Sequence, residues 1–311
     1  MAVQFAVLAS GSRGNATLIR SGGSGLLLDL GIGPRDLERR LESVGANWSH
    51  VSAAILTHTH GDHVDSHTLV GLARRGIPFY CHEGHRTKLE RVEGFRALVA
   101  AGLVREYDDR PFLTPVGIGV EPLTLRHDGG PTFGFRVETR GERGSRGVSI
   151  GYLADTGSWT AEMVEKMAGV DLLGVEFNHD VELQRRSRRP ASLIARNLGD
   201  WGHLSNHQGA DFVTAVLTRC GRGELRHVVL LHLSEQCNTP VLALKKARGA
   251  VRGTGRRVTV HVARQSPAQP NLWLEPAKRR RTRTAGRIGA VSGEAPCLLA
   301  DRNNDLPLLP F

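Results

Sequence analysis

The sequence predicts an α/β fold in which two mixed β-sheets pack face to face with helices outside. Three observations carry this expectation. Strand candidates fall into two groups, an opening strand-rich half and a closing one, with helical segments between and after them. The reactive polar residues sit at the C-terminal ends of apolar runs, the edge on which open α/β sheets present functional groups. The chain has 311 residues with 40% hydrophobic content, enough for an ordinary core in one large domain.

Taken in order, Val3–Ala9, Thr17–Arg20 and Gly25–Asp29 read as an opening antiparallel group, with a Gly/Ser turn over residues 21–24. Pro34 opens a helix through about Val44, since proline suits the first helical position. Val51–Leu56 is an apolar strand that runs into a polar turn. A helix over His63–Arg75 and a short strand over Ile77–Cys81 follow. Residues 111 to 139 alternate apolar and polar side chains with Pro and Gly punctuation, which suggests edge strands. Val148–Asp155 and Val170–Phe177 are buried strands flanking a helix over Thr160–Ala168. Ser205 begins another helix, and Gln208 completes an S-x-x-Q capping box. Val228–Leu231 is an apolar strand closed by His232. A helix over Pro240–Val251, which Asn238 is expected to cap, and a strand over Arg257–Val262 finish the domain. From Ser266 the composition shifts to Pro, Arg, Gly and Asn. Residues 1–265 are therefore expected to form the catalytic domain and 266–311 a basic, mostly disordered tail. No repeat with a 20–50 residue period is visible.

The run Thr57-His58-Thr59-His60-Gly61-Asp62-His63 fits H-x-H-x-D-H. His58 and His60 are two apart, so a strand-like backbone aims both imidazoles to one side. Gly61 allows a sharp change of direction, and Asp62 and His63 read as a helix start. Imidazole and carboxylate without thiolate suit Zn, Mn or Fe. A divided cluster can serve two metals, with His58 and His60 on one and Asp62 and His63 on the other.

This segment resembles the metal-binding motif of the metallo-β-lactamase superfamily, whose fold is an αββα sandwich. Further ligands are expected in that superfamily at strand ends, and the chain offers matches in order: Asp29, His127, Asp155 and His232. A closer resemblance is to the bacterial WalJ/YycJ-type exonuclease group. It rests on residues 8–15 (Leu-Ala-Ser-Gly-Ser-Arg-Gly-Asn), residues 176–180 (Glu-Phe-Asn-His-Asp), residues 202–206 (Gly-His-Leu-Ser-Asn) and residues 232–240 (His-Leu-Ser-Glu-Gln-Cys-Asn-Thr-Pro). One departure is visible: glycines at 129 and 130 follow His127-Asp128, where a small or polar residue is expected. The resemblance implies His58, His60 and His127 on one metal, Asp62, His63 and His232 on the other, and Asp155 bridging. Asp29 would support the cluster from behind, as buried carboxylates orient ligating histidines. Two cations about 3.5–4 Å apart would acidify a bridging water enough to supply hydroxide near neutral pH.

Charge adds a weaker argument. Lys and Arg number 41 against 31 Asp and Glu, a net +10. Residues 264–311 carry 8 basic and 4 acidic residues, so +6 of the excess belongs to the first 263. A basic surface favours polyanions, although arginine-rich coding in a high-GC genome would give the same balance. The four cysteines form no C-x-x-C, so neither a disulfide framework nor a thiolate zinc site is expected. No run reaches the roughly 18 apolar residues of a membrane span. Val3–Ala9 lacks a basic flank, so a cytoplasmic protein is expected.

Several polar residues are candidates for substrate. Ser10, Ser12 and Asn15 lie in a Gly-rich loop whose amides could approach an anion, a plain hairpin turn being the alternative. Ser205 and Asn206 open a helix whose N-terminus favours phosphate, although the capping box alone would explain Ser205. Asn178 ends a strand beside the expected metals. His179 and His203 compete for the role of general acid, and Asp62 joins them as a catalytic candidate. The expected function is a two-metal phosphodiesterase acting on nucleic acid, DNA rather than RNA, as an exonuclease; the resemblance implies 5′-to-3′ polarity. The alternative is a metallo-hydrolase of small thioesters or lactones. Oligomeric state is not legible.

Overall fold

Two seven-stranded sheets face each other in the computed structural model, which describes residues 1–141, 147–221 and 224–276. The first half of the chain supplies β1 (Val3–Ala9), β2 (Ala16–Ser21), β3 (Ser24–Leu28), β4 (Val51–Ile55), β5 (Phe79–His82) and β6 (Val104–Tyr107). The second supplies β7 (Phe112–Leu113), β8 (Gly119–Leu125), β9 (Thr132–Glu138), β10 (Ser149–Leu153), β11 (Leu172–Glu176), β12 (His227–Leu231) and β13 (Thr259–Val262). A last strand, β14 (Asn271–Leu274), returns to the first sheet. The strand orders are β14-β1-β2-β3-β4-β5-β6 and β7-β8-β9-β10-β11-β12-β13.

Each sheet begins with three antiparallel pairings and ends with three parallel ones. Parallel neighbours need long crossovers, and the helices supply them. In the first half these are α1 (Pro34–Ser43), α2 (Ser66–Arg75), α3 (Arg86–Leu89) and α4 (Glu93–Ala100). In the second they are α5 (Ala161–Met167), α6 (Val181–Arg185), α7 (Ala191–Leu198), α8 (Asn206–Arg219) and α9 (Pro240–Gly253).

Both faces of each sheet are covered, which is why the strands read as near-continuous apolar runs. On β1, Phe5 and Val7 face the layer between the sheets, where they join Leu26, Leu28, Ile55, Phe135, Ile150 and Val229. The alternate residues Ala6 and Leu8 face outward, against Leu37 and Leu41 of α1, Leu69 of α2 and Phe95 of α4. The second sheet's outer face packs on Met163 of α5, Phe212 and Val216 of α8 and Ala247 of α9. Among the described residues no helix is long and apolar enough to cross a membrane.

Three expectations are corrected. The helix after the histidine motif starts at Ser66, with Asp65 accepting from the Thr68 N–H as its cap, so Asp62 and His63 lie in a turn. The helix at Pro240 is capped by Thr239. The side chain of Asn238 instead donates to the carbonyls of Phe177 and Asn178 and pairs with Asn206. The fold also continues past residue 265: β14 pairs antiparallel with β1, Val3 opposite Leu274, and Leu274 is buried between the sheets. Four alternating residues inside a Pro- and Arg-rich stretch are too short a signal to show against that composition. The remainder of the expected tail, from residue 277, lies outside the described residues.

Candidate metal centre

The polar strand ends converge on one cavity of about 450 Å³. The H-x-H-x-D-H turn after β4 brings His58 and His60 together with His127, which follows β8, their ligand atoms lying within 4.8 Å of one another. Asp62 and His63 of the same turn meet His232, which follows β12, at the same spacing. Asp155, after β10, lies between the two groups: it clusters with His58 and His63 on one side and with His232 on the other.

The ring orientations are fixed from behind. His63 Nδ1 lies 2.8 Å from Asp29 Oδ2, and Asp29 also accepts from the Thr57 backbone and hydroxyl. His127 Nδ1 lies 2.8 Å from the Gly202 carbonyl, so Nδ1 carries the proton and Nε2 is left as an acceptor. His58 Nδ1 is 3.0 Å from the Thr57 hydroxyl. Glu176, at the end of β11, is fully buried. It takes His203 Nδ1 at 2.7 Å and His232 Nδ1 at 3.1 Å on one oxygen, and the Thr156 N–H at 2.8 Å on the other. His58, His63, His127, His203 and His232 are thus each anchored through Nδ1, which turns Nε2 toward the centre, as metal ligands require.

Two buried atoms test whether a metal fits. His58 Nε2 and His232 Nε2 are sealed from solvent and make no hydrogen bond. Burying such acceptors unpaired costs about 1–3 kcal/mol each, a cost that a bound cation removes. The donor set of imidazoles and carboxylates suits a divalent ion, so the residues present fit the group. Without it, charge accumulates on the rings. Burial opposes protonation of His63, but Asp29 and Asp155 outweigh it and raise its pKa to about 10. Burial likewise opposes protonation of His203, and Glu176 and Asp155 lift it to about 9.

The backbone itself is bent to the task. Asp29 (φ 62°), Asp155 (φ 57°) and His232 (φ 54°) are the positive-φ residues other than glycine among the described ones, and all three close a strand at this cavity. Such conformations cost of order 1 kcal/mol or more and cluster at functional sites. Gly129 resolves the departure seen in the sequence: a Cβ there would come within 2.4 Å of His58 Cδ2. A glycine is required because the His127 loop lies directly on the His58 ring.

Several expected substrate residues turn out to support the site instead. Ser12 and Asn178 line the cavity, and Asn178 also donates to the His232 carbonyl. Ser10 Oγ accepts from the His232 N–H, and Asn15 Nδ2 donates to the Asp62 carbonyl. Ser205 caps α8 in the expected box, and Asn206 is buried against Asn238. In this structure the contacts of these four steady the ligand-bearing residues and the start of the helix. His203 lines the cavity. His179 does not: its ring is buried, neither nitrogen is hydrogen-bonded, and burial lowers its pKa to about 4. The structure thus sets His179 back from the cavity that His203 lines.

Three residues here were not anticipated. Glu176 lay inside a quoted stretch, but nothing local distinguishes it from any strand-end acid. Arg189 and Arg196 both line the cavity. Arg189 donates to Gln236 Oε1 at 3.0 Å, and Arg196 forms a two-bond pair with Asp128, one contact at 2.7 Å. For Arg189 the signal was available as the basic run Arg185-Arg186-Ser187-Arg188-Arg189.

Residues 26–233 match the family model of the β-lactamase superfamily domain. The chain is 29% identical over 249 residues to the exodeoxyribonuclease YycJ of Bacillus anthracis, covering 78% of this chain and 87% of that protein. It is 28% identical over 242 residues to the exodeoxyribonuclease WalJ of Streptococcus pneumoniae, covering 77% and 85%. Among solved structures, the metallo-β-lactamase fold protein YhfI from Bacillus subtilis superposes with a TM-score of 0.61 at 18% identity, covering 86% of this chain and 99% of that one.

Proposed function

We propose that this chain hydrolyses phosphodiester bonds of nucleic acid, and the premise is plain: it belongs to the β-lactamase superfamily domain family and is a metal-dependent hydrolase. The observation that carries the proposal is the cavity wall. Arg189 and Arg196 stand on it beside Ser12, Asn178, Ser234 and Gln236, and Leu193 is the one apolar side chain among the lining residues. Such a wall suits an anionic phosphate. A thioester or lactone would call for mostly apolar walls. The net charge of +10 points the same way.

In this reading His58, His60 and His127 hold one divalent cation, Asp62, His63 and His232 a second, and Asp155 stands between them. Zn and Mn suit the donor set, with Fe a further possibility. When bound, the ions supply positive charge against the phosphoryl oxygens and acidify water at the site. The chain's own groups do the rest. Asp29 and Glu176 fix ring orientation. Arg189 and Arg196 grip the phosphate. Asp62 faces the cavity and accepts a proton from the attacking water. His203, with Nδ1 on Glu176, holds a proton on Nε2 for the leaving oxygen. DNA as the polymer, exonucleolytic release and 5′-to-3′ polarity are proposed on the likeness to YycJ and WalJ.

The test is cleavage of end-labelled single- and double-stranded DNA and RNA with Mn or Zn, wild type beside His58→Ala. Metal-dependent mononucleotide release that vanishes in the variant supports the proposal and reads the polarity. A metal-loaded protein that leaves every polymer intact but hydrolyses thioesters or lactones overturns it.

A further inference from the structure

The chain has four tryptophans, and three have a partner. Trp48 is buried under the Arg75 guanidinium, Trp159 lies against Phe212, and Trp273 sits beneath Arg20. Trp201 is 60% exposed, and among the described residues no ring or cation lies on its indole. Trp273 is nearly as exposed, at 55%, but carries Arg20 over its ring, so it is the open face of its indole that sets Trp201 apart.

Its place in the fold is more telling than its exposure. Trp201 belongs to the tight loop between α7 and α8. On one side of it stand Arg196 and Asn197, and on the other His203, all of which line the metal cavity. The loop is held rigidly. The Gly202 N–H donates to the Gly199 carbonyl, the His203 N–H to the Asn197 carbonyl, and the Gly202 carbonyl accepts from His127. Gly157 presses so close that a Cβ on it would stand 2.4 Å from the Asp200 carbonyl carbon and the Gly202 nitrogen. A backbone pinned at this many points does not leave its one large side chain in water through looseness.

We infer that Trp201 is a stacking platform for a nucleobase, at the rim where Arg189 and Arg196 receive the backbone. The inference rests on the nuclease reading and deepens it, naming unpaired nucleic acid as the substrate class. Aromatic faces beside a cationic groove are how proteins bind single strands without reading sequence, because every base offers a π-face. A base within a duplex is already stacked on both sides, so the platform serves a single strand or a frayed end.

The experiment compares an intact single-stranded oligonucleotide with one of equal length whose terminal nucleotides are abasic. Wild type, Trp201→Ala and Trp201→Phe are each assayed in the metal-loaded full chain. Expected is a rise in KM of about tenfold for Trp201→Ala on the intact strand, with a much smaller rise on the abasic one and near-recovery in Trp201→Phe. Quenching of tryptophan fluorescence by the intact strand in wild type, reduced in Trp201→Ala, gives a readout independent of turnover. Equal losses on intact and abasic strands would overturn stacking while leaving the nuclease reading in place. A wild type that neither cleaves nor binds either strand overturns the nuclease reading, and the inference with it.

Discussion

The two halves of the molecule repeat one sequence of strand directions, yet they build their shares of the centre differently. In the first half a single turn after β4 carries His58, His60, Asp62 and His63. The second half delivers His127, Asp155, Glu176 and His232 one at a time, from the ends of β8, β10, β11 and β12. The same backbone device even serves two jobs. Asp29 after β3 and Asp155 after β10 close equivalent strands with the same left-handed bend. Asp29 turns behind the ligands to orient His63, whereas Asp155 faces the cavity. A repeated scaffold thus fixes where polar groups emerge, and the residue placed there decides what they do.

The comparison is broken most severely by removing a ligand from either half. His58→Ala and His232→Ala are each expected to lower kcat by at least about 10³-fold. Metal analysis by mass spectrometry should show bound metal lost in both. A loss confined to the His58 variant would mean that the local turn suffices and the second half contributes only shape.

Next comes the proposed proton donor, His203, which lies in the second half. His203→Gln is expected to reduce kcat by about 10²–10⁴-fold. Burial disfavours the charge on His203 but its neighbours Glu176 and Asp155 raise it to about 9, so the acid is present below that pH and lost above it. Activity should therefore fall on the alkaline side as His203 loses its proton, at a pH below about 9 where bound cations oppose the charge. A His203→Gln variant that keeps this alkaline limb would rule the residue out.

The supporting carboxylates sharpen the comparison further. Asp29→Asn and Glu176→Gln act on opposite halves, and each is expected to weaken metal affinity about 10–100-fold. Competition with a chelator measures both. Were only one to matter, the two halves would not share the load.

The smallest effect concerns stability. Burial lowers His85, in the first half, and His179, in the second, to about 4. Each is neutral in the fold while its unfolded counterpart takes a proton below about 6.5. The unfolded state therefore binds more protons between those values, and stability is lost as pH falls from about 6.5 to about 4. Each site contributes up to about 3 kcal/mol. Urea denaturation at pH 7 and pH 4.5 should show a slope that flattens in His85→Gln and His179→Gln. An unchanged slope would show that these buried rings do not govern it.

The same contrast explains what was legible. The fold class follows from apolar runs with turn punctuation, and the H-x-H-x-D-H turn follows from spacing, because both are local. Ser205 and Gln208 declared their helix for the same reason: a capping box is a four-residue interaction. Glu176 was invisible as an orienting group, since its partners His203 and His232 are 27 and 56 residues away. His179 looked as suitable as His203 in one dimension, and access to the cavity separates them. The strand β14 escaped because its pairing partner is β1, at the other end of the chain.

By itself, then, the sequence determined the two-sheet architecture, the donor types, and the turn in which four of them gather within six residues. The tertiary structure decided which face each side chain meets: that Asn15 and Ser10 steady ligands, that Gly129 must lack a side chain, and that Arg189 and Arg196 line the same cavity. The physical reason is range. Backbone propensity and short spacings act within a few residues, whereas burial and ligand geometry arise only when distant strand ends meet.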